Sequence, residues 1–396
     1  MNGPRLFLVA GEPSGDQLGA ALIAGLRALA PGVEVEGVGG PAMAAEGLAS
    51  RFPMEELSVM GIAEVLPRLP RLLRRIRETG DAVAAARPDA LIGIDSPDFC
   101  LRVARRARSL RSDLRVIHYV APSVWAWRPG RAAKMAKVVD HVLALLPFEP
   151  PYMEAAGMTC DFVGHPLATV PRAGPEAIAA VRAELGLAPG QRLLAMLPGS
   201  RRGEVRRLGP VFAATFARLR ADAPDLAAVI PTVGPVADLA AGMAPEGVRI
   251  LDPRGMAQGA AEARKRAALA ASDAALAASG TVSLELAGQG TPMAIGYKVH
   301  PLTAPVARRL LRIDSSTLVN LVTETRAVPE FFQEDCVPEK LAPALARLLD
   351  DPAAAAAQRA VGVRAMEILG RGGEPPGLRA ARSVLGRLGR ETAGGN

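Results

Sequence analysis

Apolar residues along this chain gather in short, largely continuous runs, set between longer Ala-rich stretches of helical character. In the first half the runs are Leu6–Ala10, Val33–Val38, Ala90–Ile94, Val116–Val120, His141–Leu146 and Asp161–Val163. In the second half they are Leu193–Leu197, Ala227–Pro231, Val248–Leu251, Ala274–Ala277 and Met293–Tyr297. A half-buried strand alternates apolar and polar residues, whereas continuous runs suit strands covered on both faces, as in parallel sheets. Strands that alternate with helices predict a doubly wound α/β architecture. The 396 residues are too many for one ordinary core, so two Rossmann-like parallel-sheet domains are expected. The break is placed at Gly164-His165-Pro166-Leu167 and the following Pro171–Pro175, where Pro and Gly disfavour helix and sheet. The domains are then 1–167 and 168–369. Leu378–Leu388 reads as a final helix within 370–396, and Thr392–Asn396 as a disordered tail.

In doubly wound sheets, ligands bind beyond the C-terminal ends of the strands. The polar motifs of this chain fall at those ends. Gly11-Glu12-Pro13-Ser14-Gly15-Asp16 follows the first run and opens a helical stretch. Its acids would repel phosphate, so it reads as a loop for a sugar or other polar acceptor, or as a turn with Asp16 starting the next helix. Ile94-Asp95-Ser96-Pro97-Asp98-Phe99 ends a strand with two carboxylates. One can cap the helix that follows and the other can serve as a general base, and spacing does not say which. Tyr119 to Arg128 holds both tryptophans, Trp125 and Trp127, beside an Arg. That set suits a sugar or acyl group plus a phosphate, or a core anchor for the loop.

The second half carries different chemistry. Leu197-Pro198-Gly199-Ser200-Arg201-Arg202-Gly203-Glu204 runs from a strand through Gly-Ser into paired Arg and a helix. Cations beside a helix N-terminus suit a pyrophosphate, although the Lys of a Walker A loop is missing. Ser279-Gly280-Thr281 offers hydroxyls and N–H groups at another helix start. Glu285 lies one turn further, placed for ribose hydroxyls. Either motif reads equally as a solvated helix cap.

Composition narrows the partners. The net charge is +7, which fits phosphorylated small molecules, nucleic acid or an anionic membrane surface. Aromatics are only 4% and no aromatic/basic RNA motif is present, so nucleic acid is not expected. Cys100, Cys160 and Cys336 are far apart with no CxxC, which argues against a disulfide framework or zinc site and fits a reducing cytoplasm. His118, His141, His165 and His300 lack ligand spacing, so neither metal nor cofactor is expected; His165 alone is placed near the ligand. Leu6–Ala10 is too short for a signal sequence, and no run approaches the roughly 18 apolar residues that span a bilayer. Leu57–Glu78 mixes Val59, Met60, Ile62, Leu69, Leu72, Leu73 and Ile76 with Arg68, Arg71, Arg74, Arg75 and Arg77, interrupted by Pro. It fits a membrane-surface segment or a core helix with a solvated basic face.

Taken in order, these motifs resemble the lipid-A-disaccharide synthase family, glycosyltransferases of the GT-B type. The resemblance runs from about Leu6 to Ala346. It is carried by Ala10-Gly-Glu-Pro-Ser-Gly-Asp16, Gly37-Val-Gly-Gly-Pro41, Met60-Gly-Ile-Ala-Glu-Val65 and Ile94-Asp-Ser-Pro-Asp-Phe99. It continues through Pro122-Ser-Val-Trp-Ala-Trp-Arg128, Leu146-Pro-Phe-Glu149, Val163-Gly-His-Pro166, Leu197-Pro-Gly-Ser-Arg201 and Ala278-Ser-Gly-Thr281. Pro292-Met293, Asn320 and Pro329-Glu330 through Gln333 also fit. Pro13 stands where the family often has Ala, and Cys100 where Asn is common.

The resemblance implies two domains facing across a cleft, with a hinge near Gly164–Pro171. It implies metal-independent, inverting transfer of 2,3-diacylglucosamine from UDP to 2,3-diacylglucosamine 1-phosphate. The products are the β-1,6 disaccharide 1-phosphate and UDP. Asp98 is then the expected base, with Asp95 and Glu12 left open as alternatives. Glu12, Ser14, Asp16, Met60, Glu64, Trp125, Arg128 and His165 are expected on the acceptor side. Gly199, Ser200, Arg201, Ser279, Gly280, Thr281, Glu285, Asn320, Glu330 and Gln333 are expected around UDP. The resemblance also implies a cytoplasmic protein, peripheral on the anionic inner-membrane surface. A homodimer is allowed and nucleic acid is not expected.

Overall fold

A computed structural model describes residues 3–57, 62–125, 130–299 and 315–389, with the side chains of 62–68 left out. The chain forms two compact units, Met1–Thr169 with Leu369–Asn396, and Val170–Ile368. Each is built on a six-stranded, wholly parallel sheet.

In the first unit the strands are β1 (Arg5–Ala10), β2 (Glu34–Val38), β3 (Ala90–Ile94), β4 (Arg115–Tyr119), β5 (His141–Ala144) and β6 (Thr159–Phe162), in the order β2-β1-β3-β4-β5-β6. In the second they are β7 (Leu193–Leu197), β8 (Ala227–Pro231), β9 (Val248–Leu251), β10 (Ala274–Ala277), β11 (Met293–Tyr297) and β12 (Glu330–Phe332), in the order β12-β11-β10-β7-β8-β9.

The unbroken apolar runs mark the central strands. Leu6 to Ala10 are all at most 1% exposed. Successive side chains point to opposite faces of a strand. Phe7 and Val9 therefore join one core cluster with Val103 and Ala107 of the Pro97–Leu110 helix. Leu6 and Leu8 join the other, with Leu22 and Leu26 of the Pro13–Leu29 helix. Burying each such side chain contributes about 1.5–3 kcal/mol.

Val384 and Leu385 of the C-terminal helix Pro376–Arg387 belong to that second cluster. The segment read as an extension thus completes the first unit. Its helix lies so close to Pro13–Leu29 that a Cβ on Gly25 would stand 2.6 Å from the Gly377 carbonyl oxygen. Ser383 fastens it further, donating to Asp161 at 2.6 Å and meeting His141 Nε2 at 2.9 Å. The proposed tail residues lie outside the described residues.

Two local expectations change. The strand β12 has no counterpart among the apolar runs, because it is three residues long, sits at a sheet edge and begins with Glu330. The stretch read as Pro-interrupted holds one continuous helix, Ile62–Ala86, running through Pro67 and Pro70. On it Arg75 is bound to Glu56 at 2.9 Å and covers the Phe52 ring at 4.4 Å, while Leu69 and Leu73 are exposed. Among the described residues, no helix is long and apolar enough to cross a membrane.

Candidate active site

The strand orders locate the sites. In the first sheet the order reverses between β1 and β3, and in the second between β7 and β10. Ligands of doubly wound sheets bind at such switch points. The four loops that begin there are Gly11–Asp16, Asp95–Asp98, Pro198–Arg201 and Ser279–Thr281. They are four of the five strand-end motifs marked by residue chemistry; the fifth, from Tyr119, follows β4.

At the first switch point the loops after β1 and β3 are hydrogen-bonded together. The Ser14 hydroxyl donates to Asp95 Oδ2 at 3.0 Å, and the Ser96 hydroxyl to Glu12 Oε1 at 3.3 Å. The Ser96 amide also donates to Asp95 Oδ1 at 2.9 Å. Asp95 and Ser96 have left-handed backbones, with φ of 54° and 39°, and Val120 after β4 has φ of 86°. Such conformations cost of order 1–3 kcal/mol each in non-glycine residues and persist only where surroundings enforce them. Asp98 sits in the first turn of the Pro97–Leu110 helix, exposed, with no hydrogen-bond or ion-pair partner among the described residues.

Several acceptor-side expectations resolve differently. Asp16 is turned into the fold at 3% exposure. Its carboxylate accepts from the amides of Gly40 at 2.8 Å, Ala42 at 2.8 Å and Met43 at 3.0 Å, capping the Pro41–Ala45 helix. It is therefore a clasp between elements rather than a ligand group. Trp125 is anchored: its indole N–H donates to Glu149 at 3.3 Å and its ring meets Phe148 edge-on at 5.1 Å. Glu149 also accepts from the Leu145 and Leu146 amides, and burial pushes its carboxyl up to about 7. His165 is buried, accepts at Nδ1 from the Leu167 amide, and is pushed down to about 4 by desolvation. Its own amide donates to the Leu369 carbonyl, which ties the returning chain to the first unit. Met60 and Arg128 lie outside the described residues, as does the side chain of Glu64.

At the second switch point, Gly199, Ser200, Arg201, Ser279, Gly280, Thr281 and Glu285 line one cavity of about 290 Å³. Gly199 has φ of 119°, and a Cβ there would stand 2.5 Å from Glu204 Oε2. Glu204 organises this loop by accepting from the Ser200 and Arg201 amides at 3.2 and 3.3 Å and from the Arg201 guanidinium at 3.2 Å. Arg201 itself remains 73% exposed, so its other donors are open to a ligand. The helix Val282–Gln289 begins directly at the Ser279–Thr281 turn, presenting N–H groups and a positive dipole end. An adjoining cavity of about 270 Å³ shares Pro231, Val233 and Lys265 and adds Leu251, Pro253 and Met256.

The sequence reading missed Lys265. It lies within the Gln258–Ala271 helix, lines both cavities and pairs with Glu285 at 2.5 Å. Only its cationic character in an Ala-rich stretch marks it, because its partner is distant in sequence. Asn320 and Glu330 were expected beside UDP but are spent inside the fold. Asn320 is 1% exposed and exchanges two hydrogen bonds with the Val328 backbone. Glu330 accepts from the amides of Ser316 at 3.0 Å and Thr317 at 2.8 Å, and from the Thr317 hydroxyl. Ser316 in turn bonds the Ser279 hydroxyl at 2.9 Å, so Glu330 acts on the cavity only by positioning. Gln333 is half-buried, with φ of 52°, and does not line the cavity. Among the described residues, no group of three His, Cys, Asp or Glu side chains gathers as a metal site needs.

Known structures share this architecture. A UDP-GlcNAc 2-epimerase from Neisseria meningitidis, solved with UDP-GlcNAc, superposes with a TM-score of 0.58 at 11% identity, covering 98% of this chain and 99% of that one. A calicheamicin glycosyltransferase gives a TM-score of 0.56 at 18% identity, with 98% and 99% covered. These likenesses show the fold, two Rossmann-like domains of GT-B type. Sequence relatives go further. The lipid-A-disaccharide synthase of Ruegeria pomeroyi is 62% identical over 97% of this chain and 95% of its own length. That of Rhodospirillum centenum is 50% identical over 96% and 94%. The family model for lipid-A-disaccharide synthetase matches residues 6–372. With the motif-bearing loops at both switch points and a match along nearly its whole length, the chain belongs to the lipid-A-disaccharide synthase family of glycosyltransferases.

Proposed function

We propose that the first unit activates the acceptor of this family's reaction and the second holds the departing UDP. The acceptor is 2,3-diacylglucosamine 1-phosphate and the donor is its UDP-activated counterpart. The 6-hydroxyl oxygen of the acceptor attacks the anomeric carbon of the donor, and Asp98 takes its proton. The bond from that carbon to the UDP oxygen breaks, and UDP leaves with the electron pair. An α-linked donor becomes a β-linked product because attack comes from the face opposite the leaving group, as in inverting hydrolysis.

One observation carries the choice of Asp98. Asp95 and Glu12 are engaged by the Ser14 and Ser96 hydroxyls, whereas Asp98 is exposed and unengaged among the described residues. A general base must be free to reach the reacting hydroxyl. The charge that grows on UDP is met by Arg201, by the N–H groups at Ser279–Thr281 and by Lys265. Glu285, held by Lys265, is oriented toward ribose hydroxyls, and the adjoining cavity with Leu251 and Met256 suits the uracil ring.

The exposed Leu69 and Leu73, set among Arg71, Arg74 and Arg77, support a peripheral contact with an anionic membrane. The expected location is the cytoplasmic face of the inner membrane.

The test uses the purified chain in non-ionic detergent micelles with EDTA, the UDP-activated diacylglucosamine and the acylated monosaccharide 1-phosphate. UDP release and lipid mass are followed together. Equal amounts of UDP and tetraacyl disaccharide phosphate are expected. UDP binding without disaccharide would refute the reading.

A further inference from the structure

Many arginines among the described residues are paired with carboxylates. On the Pro97–Leu110 helix, Arg106 binds Asp81 at 2.7 Å and Arg108 binds Asp140 at 2.5 Å. Arg102 and Arg105 of the same helix are different. Neither has a hydrogen-bond or ion-pair partner among the described residues, and the same holds for Arg131 and Lys134 of the Gly130–Met135 helix. These four side chains line one open cavity of about 630 Å³. Its apolar lining includes Leu101, Pro122 and Met135, and Asp98 is the only carboxylate lining it among the described residues.

The four cations around this cavity repel one another, the one carboxylate offsets only part of their charge, and a bound anion relieves the remaining repulsion. Arg offers a planar fork that matches phosphate, and Lys a mobile point charge. Asp98 stands at one end of the row. Along the helix, Arg102 is about 6 Å from it and Arg105 about 10 Å. A ligand that presents a hydroxyl to Asp98 and a phosphate to these cations therefore spans about one sugar ring.

We infer that Arg102, Arg105, Arg131 and Lys134 form the pocket for the phosphate monoester of the acceptor, and that they make the enzyme select a phosphorylated acceptor. The inference rests on the proposed role of Asp98. The phosphate is the acceptor's charged group, and anchoring it fixes which hydroxyl of the ring meets the base. The apolar lining then faces the sugar and the start of an acyl chain. An anionic phospholipid headgroup presents the same phosphate chemistry from another source, and the assay separates the two.

The experiment compares the full chain with Arg105→Gln, Lys134→Gln and the double variant in non-ionic micelles free of phospholipid. Each is supplied with the acylated acceptor carrying its 1-phosphate and with the same lipid lacking it. Each lost charge-assisted contact is expected to lower kcat/KM for the phosphorylated acceptor by about tenfold or more. The dephosphorylated acceptor should be used equally by all forms, and the KM for the UDP donor should not move. Arg105→Lys should recover part of the loss. An unchanged preference for the phosphorylated acceptor in the double variant would overturn the inference. So would a loss that appears only on vesicles containing anionic phospholipid, which would assign the cations to the membrane. If the unaltered chain forms no disaccharide, the proposed function fails on its own. Equilibrium binding of the monosaccharide 1-phosphate lipid to the same variants then decides the pocket separately, with weaker binding in the double variant supporting it and equal binding refuting it.

Discussion

The two switch points share a topology and differ in chemistry. After β1 and β3 the loops carry acids, and two non-glycine residues in succession adopt left-handed backbones, Asp95 and Ser96. After β7 and β10 the loops carry amides, hydroxyls and Arg201, and the left-handed positions are glycines, Gly199 and Gly280. The first arrangement holds carboxylates at fixed angles at a cost in backbone strain, stabilised by the Ser14 and Ser96 hydrogen bonds. The second lets the backbone approach a ligand without strain, as phosphate binding at a helix start requires. On the proposed reading, one fold thus presents a proton acceptor in one unit and an anion receptor in the other.

The largest expected effect tests the acid side. Asp98→Asn removes the base but keeps its size, and should lower kcat by about 10²–10⁴-fold. Rapid-quench turnover measures it; a loss of less than tenfold would return the role to Asp95 or Glu12. Next is the anion side. Arg201→Ala should raise the donor KM by about 10–100-fold through lost charge-assisted hydrogen bonds, with the acceptor KM unchanged. Equal shifts in both constants would contradict the division.

A smaller effect concerns loop geometry. Gly199→Ala places a Cβ 2.6 Å from that of Glu204 on a backbone that disfavours it, and should destabilise the second unit by about 1–3 kcal/mol. Urea unfolding reads this, and an unchanged midpoint would show that the loop adapts.

The smallest effect is on pH. His118 and His165 are held near 4 by burial, below their unfolded value of 6.5. The unfolded chain therefore binds more protons between those values, and their contribution to stability rises with pH from about 4 to 6.5. Glu149 acts oppositely. Its folded value of about 7 lies above its unfolded 4.5, so its contribution is full below 4.5 and is lost as pH rises to 7. Glu149→Gln should steepen the rise in urea midpoint between pH 4.5 and 6.5. A slope equal to that of the unaltered chain would show that Glu149 titrates normally.

Much of this fold is legible in the sequence because parallel strands are buried on both faces. Ala90–Ile94, Leu193–Leu197, Ala227–Pro231, Ala274–Ala277 and Met293–Tyr297 match their apolar runs residue for residue. β12 escapes because an edge strand headed by Glu330 has no such run. The site is legible as loops and less so as individual side chains. Asp16 follows a strand, Asn320 lies in the Leu318–Thr323 helix and Glu330 opens a strand, and the same polar residue types serve ligands or backbone amides. The difference depends on where Gly40, Val328 and Thr317 come to lie, which local spacing does not encode. Lys265 and the four cations near Asp98 become meaningful only once their neighbours are in place.

The separation of the two jobs is tested most directly by calorimetric binding of UDP to the unaltered chain, Asp98→Ala, Arg201→Ala and the double variant. The account predicts that Asp98→Ala binds UDP as the unaltered chain does, and that the double variant is no weaker than Arg201→Ala alone. A loss of UDP affinity in Asp98→Ala comparable to that in Arg201→Ala would contradict it.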